Sequence, residues 1–157
     1  MRMDGIDRKI LAELQRDGRL TVTELAERVQ LSVSPCHRRL RALERSGAIA
    51  GYRAQLDASV LGLTFDALVF VNMSTTARER IEAFEEAVAA IEYVVQAQRL
   101  FGSPDYLLRV VAADLPHFQR IYDDELTTLP GVQNLNSTLV MKSIVEQRDL
   151  PLGGNRV

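Results

Sequence analysis

The apolar residues of this chain keep a helical spacing up to about residue 45 and, past a loosely alternating 48–57, gather into strand-like runs. That one change of period divides the fold in two. Before it, Ile6, Ile10, Leu11 and Leu14, then Leu25, Ala26 and Val29, then Cys36, Leu40 and Leu43 recur as helices with one buried face require. After it, residues 65–74, 93–101 and 106–113 are β-rich and mostly apolar. Gly62 lies between the two regimes, so the boundary is placed at 58–63. Residues 1–60 then form one domain with a linker strand, 61–150 a second, and 151–157 a flexible tail. Pieces of about 60 and 90 residues are each marginal alone, so burial between chains is expected.

The first part carries strong punctuation. Asp4 is placed to cap the first helix and Gly18 to stop it. Thr21 and Glu24 have the spacing of a capping box for the second. Only Gln30 and Leu31 separate that helix from Ser32, the expected cap of a third, with Ser34 followed by Pro35 as the alternative start. Gly47 ends the third helix, and 48–57 alternates loosely, as a wing or exit strand would. Three short helices with so tight a turn make a helix-turn-helix. Net charge is only −2, but residues 1–60 hold eleven Lys/Arg against eight Asp/Glu, while 61–157 hold eight against thirteen. A basic first half and an acidic second half point to different partners.

On the third helix, Ser34, Arg38, Arg41 and Arg45 are spaced 4, 3 and 4 and share one face, with His37 at its border and Arg39 on the other flank. A major groove admits such a helix, and arginine pairs bidentately with guanine. Ser32 and Ser34 at the helix start suit a phosphate, and Arg53 a backbone contact. The plainer alternative is a solvated basic face. Its position straight after a capped helix and a two-residue turn favours double-stranded DNA.

The second part reads strand, helix, strand, strand, helix, strand. Thr76 and Glu79 have capping-box spacing before a helix with Ile81, Phe84, Val88 and Ile91 inward. Asp114 is placed to cap another with Leu115, Phe118, Tyr122, Leu126 and Leu129, and 132–147 supplies the last strand. The βαββαβ order is ferredoxin-like, giving an α+β chain overall. Its two helices cover one sheet face and leave the other apolar and bare. Val69, Val71, Leu108 and Val110 are candidates for that bare face.

One cysteine, Cys36, forms no internal disulfide, and no apolar run reaches the ~18 residues of a membrane span. With no signal-peptide pattern at the N-terminus, a cytoplasmic protein without membrane partners is expected. His37 and His117 fall in different halves, with His117 expected to face solvent. Asp123, Asp124 and Glu125 diverge around a helix, and nucleophile and phosphate motifs are missing. No enzyme, metal or cofactor is expected.

The string from Asp7 to Arg19, Thr23 to Val29, Leu31 and Ser32, Pro35 and Cys36, Arg39, Leu43 to Arg45, and Gly47, Ile49, Gly51 and Tyr52 resembles the Lrp/AsnC family of transcriptional regulators. The resemblance continues through Gly102, Ser103, Pro104, Asp105 and Tyr106 and covers nearly the whole chain. It implies a regulator of amino-acid metabolism, a homodimer built sheet to sheet with tetramers or octamers beyond it, and a small amino-acid effector near the turn between the second and third strands. There Gly102 would offer amides to a carboxylate, Asp105 would pair an ammonium, and Ser103, Tyr106 and Thr138 would complete the site. An ordinary turn is the alternative reading. Ser103 stands where many relatives carry an acid, and Pro104 removes an N–H, so the effector's identity does not carry over. The competing functions are a nucleoid-organising DNA binder with little effector dependence and an amino-acid-binding module that does not touch DNA.

Overall fold

The computed structural model describes residues 3–152, which separate into two units. The first comprises the chain up to Gln55 together with residues from Val145 onward, and the second is Leu56–Ile144.

In the first unit, α1 (Gly5–Arg16), α2 (Val22–Arg28) and α3 (Val33–Arg45) enclose a small core of Ile10, Leu25, Cys36 and Leu43, all fully buried. Burial pushes the Cys36 thiol pKa up, so it packs as a small apolar group. Asp4 caps α1 by accepting the Ile6 and Asp7 amides, both at 2.9 Å, and the Asp7 carboxylate returns the bond to the Asp4 amide at 3.1 Å. Thr21 and Glu24 close the same kind of box on α2. Ser32 occupies the N-cap of α3 but makes no side-chain cap bond.

Two helices end alike with different residues. At α2, Leu31 N–H reaches Ala26 C=O and Gln30 N–H reaches Glu27 C=O; at α3, Ala48 reaches Leu43 and Gly47 reaches Glu44. Both closures need a left-handed residue just past the C-cap. Gly47 supplies it at φ 75°, but at φ 58° the residue is Gln30, whose Cβ crowds the backbone.

After α3 the expected strand does not form. Residues 50–56 belong to no strand or helix, and Tyr52 lies against Gly18 and donates its hydroxyl to Glu44 at 3.3 Å. The chain's end also differs from expectation. The Gln15 side-chain amide pairs with both backbone groups of Leu150, at 2.7 and 3.2 Å, and Arg8 donates to the Leu152 carbonyl. Leu152 packs against the three-helix core. The rest of the tail expected at 151–157 lies outside the described residues.

The second unit is β1 (Phe65–Met73), α4 (Arg78–Ala90), β2 (Val94–Arg99), β3 (Tyr106–Ala112), α5 (Leu115–Ile121) and β4 (Val132–Leu139). The strands form one antiparallel sheet in the order β2-β3-β1-β4, the ferredoxin-like arrangement. The last strand is shorter than the 132–147 read from sequence. The capping box at Thr76 is not made: α4 starts from Ala77, whose amide bonds the Thr75 hydroxyl at 3.2 Å. Asp114 does cap α5, accepting the His117 amide at 2.8 Å. His117 does not face solvent. It is half-buried, edge-on to Tyr93 at 4.6 Å, and accepts the Ala113 amide.

α5 does not continue as a regular helix to Leu129. Leu115 is exposed, Ile121 takes the inward place expected of Tyr122, and a π-helical turn at Tyr122–Leu126 inserts one residue. The Thr127 amide bonds the Tyr122 carbonyl at 3.0 Å, five residues back, so that Ile121 and Leu126 both point inward.

The sheet faces are the reverse of the sequence assignment. Val69, Val71, Leu108 and Val110 are fully buried in the core with the helices. Alternation puts Leu68, Phe70 and Leu107, half-buried, and Val111 on the open face. Among them Arg109 grips Asp66 bidentately, at 2.5 to 3.1 Å.

The helix ends yield a paired prediction. Gln30→Gly stabilises the first unit by about 1 kcal/mol, and Gly47→Ala destabilises it by a similar amount. Urea unfolding of the full chain measures both; an unstable Gln30→Gly would show that the left-handed turn is not strained.

Candidate nucleic-acid interface and effector turn

The exposed side of α3 carries Ser34, His37, Arg38, Arg41 and Arg45, with Ser32 just before it, while Cys36, Leu40 and Leu43 face inward. Arg38, Arg45 and Arg53 have no ion-pair partner among the described residues. Arg41 is held: its Nη1 lies 3.0 Å from Glu44 Oε2 and its Nε 3.4 Å from His37 Nε2. Glu44 also accepts the Tyr52 hydroxyl, whose pKa is raised chiefly by burial and then by Glu44. Sequence reasoning missed Glu44, although its spacing of three from Arg41 is a readable ion-pair signal.

Arg39 leaves this face. It is half-buried, and its Nη1 bonds Asp4 at 2.7 Å and Asp7 at 2.8 Å, fastening α3 to the cap of α1. This residue, expected at the DNA, is engaged in that internal pairing. The Asp4 carboxyl sits below its ordinary 3.8, first through the Asp7 amide and then through Arg39.

In the second unit, Gly102, Ser103 and Asp105 do lie together. They close the β2–β3 hairpin, whose base is the cross-strand pair Arg99 and Tyr106. Asp105 is engaged internally, taking the Met73 amide on its carboxylate at 2.7 Å where the β1–β4 register shifts. Ser103 accepts from Asn72 at 3.2 Å. Gly102 is exposed at φ 134° with open space where a side chain would be. Phe101 beside it is wholly exposed.

The other two expected effector residues separate from the turn. Tyr106 turns into the helix-side core, stacked near Phe84 at 4.5 Å with its hydroxyl 2.7 Å from Glu85. Burial and then Glu85 push its pKa up to about 12. Thr138 pairs with Leu68, four positions along β1 from Asn72 and so about 13 Å from the turn end.

No helix among the described residues is long and apolar enough to cross a membrane, and no group of three metal-binding side chains occurs among them.

Residues 3–50 match the winged helix-turn-helix DNA-binding family and residues 66–150 the Lrp/AsnC ligand binding domain. The two halves together define a DNA-binding transcriptional regulator with an amino-acid-binding domain. A leucine-responsive regulatory protein of Rhizobium meliloti is 42% identical over 142 residues, 90% of this chain and 91% of the relative. A proline dehydrogenase transcriptional activator of Rhodobacter capsulatus is 39% identical over 145 residues, 92% and 94% of the two chains. A transcriptional regulator of Neisseria meningitidis, solved as a complex with L-methionine, superposes with a TM-score of 0.92 at 38% identity, over 97% of this chain and 98% of that one. The chain belongs to the Lrp/AsnC family, whose members are regulators rather than enzymes.

The Arg39 pairing has a pH signature. Because the folded-state pKa of Asp4 is lowered, its contribution is complete above 3.8 and fades as pH falls through the folded value. Arg39→Ala lowers the melting temperature at pH 7, and the gap to the wild type narrows as the pH is taken progressively below 3.8. Base preference on DNA is unchanged. A constant gap across that range would dissociate Arg39 from Asp4.

Proposed function

We propose that this chain regulates transcription of amino-acid metabolism genes by laying α3 in the major groove as part of a symmetric homodimer, under the control of an apolar amino acid. The observation that carries the DNA reading is the stripe of Ser34, Arg38, Arg41 and Arg45 on a helix whose opposite side is the domain core. Arg38 and Arg41 take the base-reading role, Ser32, Ser34 and Arg45 the phosphates beside them, and Arg53 a flanking phosphate. His37 steadies Arg41. Arg39 is left to the fold.

Homodimerisation rests on the open sheet face, where Leu68, Phe70 and Leu107 would otherwise stay partly wet. A partner sheet of the same kind covers them symmetrically. Larger assemblies are built from that dimer. The effector class is supported by relatives named for leucine response and proline dehydrogenase activation, and by the neighbour crystallised with L-methionine. Such a ligand acts by binding one assembly or arrangement of DNA-reading units better than another, and shifts DNA affinity by that difference. A cytoplasmic site of action follows from this role.

Selection of binding sites from random duplex DNA tests the reading. A pseudo-palindrome with half-sites about one helical turn apart, or a multiple of it, is expected. Retention of all sequences alike would replace sequence-specific regulation with nucleoid organisation. Arg41→Ala costs about 1–3 kcal/mol and relaxes preference at one base pair, whereas Arg53→Ala weakens all sequences equally and lowers the salt slope by about one. Phe70→Glu yields a monomer in light scattering; a dimer that survives this change does not use the open face.

A further inference from the structure

Glu44 sits among the arginines of α3 with both carboxylate oxygens taken. Its Oε2 accepts Arg41 Nη1 at 3.0 Å, and its Oε1 accepts the Tyr52 hydroxyl at 3.3 Å. The Glu44 side chain is 26% exposed against 60% for Arg41, so the acid is the sheltered member of the pair. Tyr52 reaches it from outside the helix. The phenol ring lies against Gly18, just past α1, which braces the acid from a second element. Burial and then Glu44 raise the Tyr52 pKa, so the hydroxyl stays a donor at neutral pH. An ion pair with one member in solvent adds little stability. What this one fixes is direction.

A guanidinium offers a bidentate acceptor two edges, Nε with Nη2 along its side and Nη1 with Nη2 at its end. On Arg41 the side is closed, because Nε already lies 3.4 Å from His37 Nε2. Nη1 keeps a second hydrogen beyond the Glu44 bond, and Nη2 has no partner among the described residues. The end is therefore the edge presented, and O6 and N7 of guanine in the major groove accept such a parallel pair of donors. A phosphate would accept them too, but Glu44 cancels the charge that attracts one and repels its oxygens. A neutral base edge carries no such penalty. Glu44 could itself take a cytosine amino group, except that both its oxygens are engaged.

We propose that Glu44, braced by Tyr52, is a specificity-determining residue of the DNA-reading unit: it presents the end of Arg41 to a single guanine and withholds it from phosphate. This rests on the major-groove role of α3 argued above, and adds which base Arg41 takes and what makes it choose. Glu44 touches no DNA in this role. It is a positioning residue, and its charge works against overall affinity. A carboxylate on a face that meets a polyanion weakens binding to every duplex, so the effect it leaves is discrimination.

Competition binding of the full chain is the test, with three duplexes: the selected site, the same site with the base pair at which Arg41→Ala relaxes preference exchanged, and random sequence. That base pair contains guanine. Glu44→Gln lowers the preference for it roughly tenfold. The same variant binds random duplex more tightly and steepens the salt slope by about one, as the released arginine finds a phosphate. Tyr52→Phe keeps the ring over Gly18 and lowers the same preference about threefold, with affinity for random duplex unchanged. In the Arg41→Ala background neither change alters that base pair further. Parallel loss on all three duplexes in Glu44→Gln would mean an acid that only supports the fold, and would overturn the proposal. So would an A·T pair at the Arg41 position, or a preference that relaxes in Arg41→Ala but holds in both Glu44→Gln and Tyr52→Phe. An Arg41→Ala variant that relaxes no position would overturn the base-reading role of Arg41 itself, and the proposal with it.

Discussion

A four-stranded sheet with both crossover helices on one side must keep two faces dry with cover for only one. Much of the second unit answers that constraint. β1 runs through the middle of the sheet, and its alternate residues face two different sides: Val69 and Val71 the helix-covered core, Leu68 and Phe70 the open side. A slip of one residue would exchange the sets, so register is specified from both directions. The irregularity between β1 and β4, at Asn72 and Met73, falls where the Asp105 carboxylate takes up the Met73 amide. On the open face the bidentate Arg109–Asp66 pair satisfies its charges locally, so it can be covered by a partner without leaving either group unpaired.

The first unit faces the opposite difficulty, a core too small to hold three helices firmly. It compensates at the helix ends, with two capping boxes, two left-handed closures and the Arg39 link from α3 to the α1 cap. One residue type serves three purposes on a single helix. Arg39 fastens it, Arg38 and Arg45 stay free toward solvent, and Arg41 is steadied by Glu44. An arginine already oriented loses less side-chain freedom on binding than a free one.

Much of this was legible in the residues. Caps at Asp4, Thr21 and Asp114 are local hydrogen-bond chemistry, and each is found where the pattern places it. The βαββαβ order follows from period alone. What failed was long-range. Period two separates Val69 and Val71 from Leu68 and Phe70 but carries no sign for which side the helices take. Arg39 differs from Arg38 only in pointing to Asp4 and Asp7, more than thirty positions away. The π-helical turn makes Ile121 and Leu126 neighbours, a spacing that a helical template excludes. Among the effector candidates, neighbours in sequence fared differently. Tyr106 follows Asp105 directly, but the strand pleat sends it to the opposite side.

The clasp of Gln15 on Leu150, with Leu152 against the helices, has a consequence for how such proteins exchange parts. The DNA-reading unit is discontinuous in the gene, and its last residues are encoded after the last strand of the second unit. Cutting the chain after Gln55 strips the Gln15 amide of both backbone partners and bares the apolar spot beneath Leu152. A chimera that joins this reading head to a foreign sensor therefore inherits a complete fold only when the closing residues travel with it.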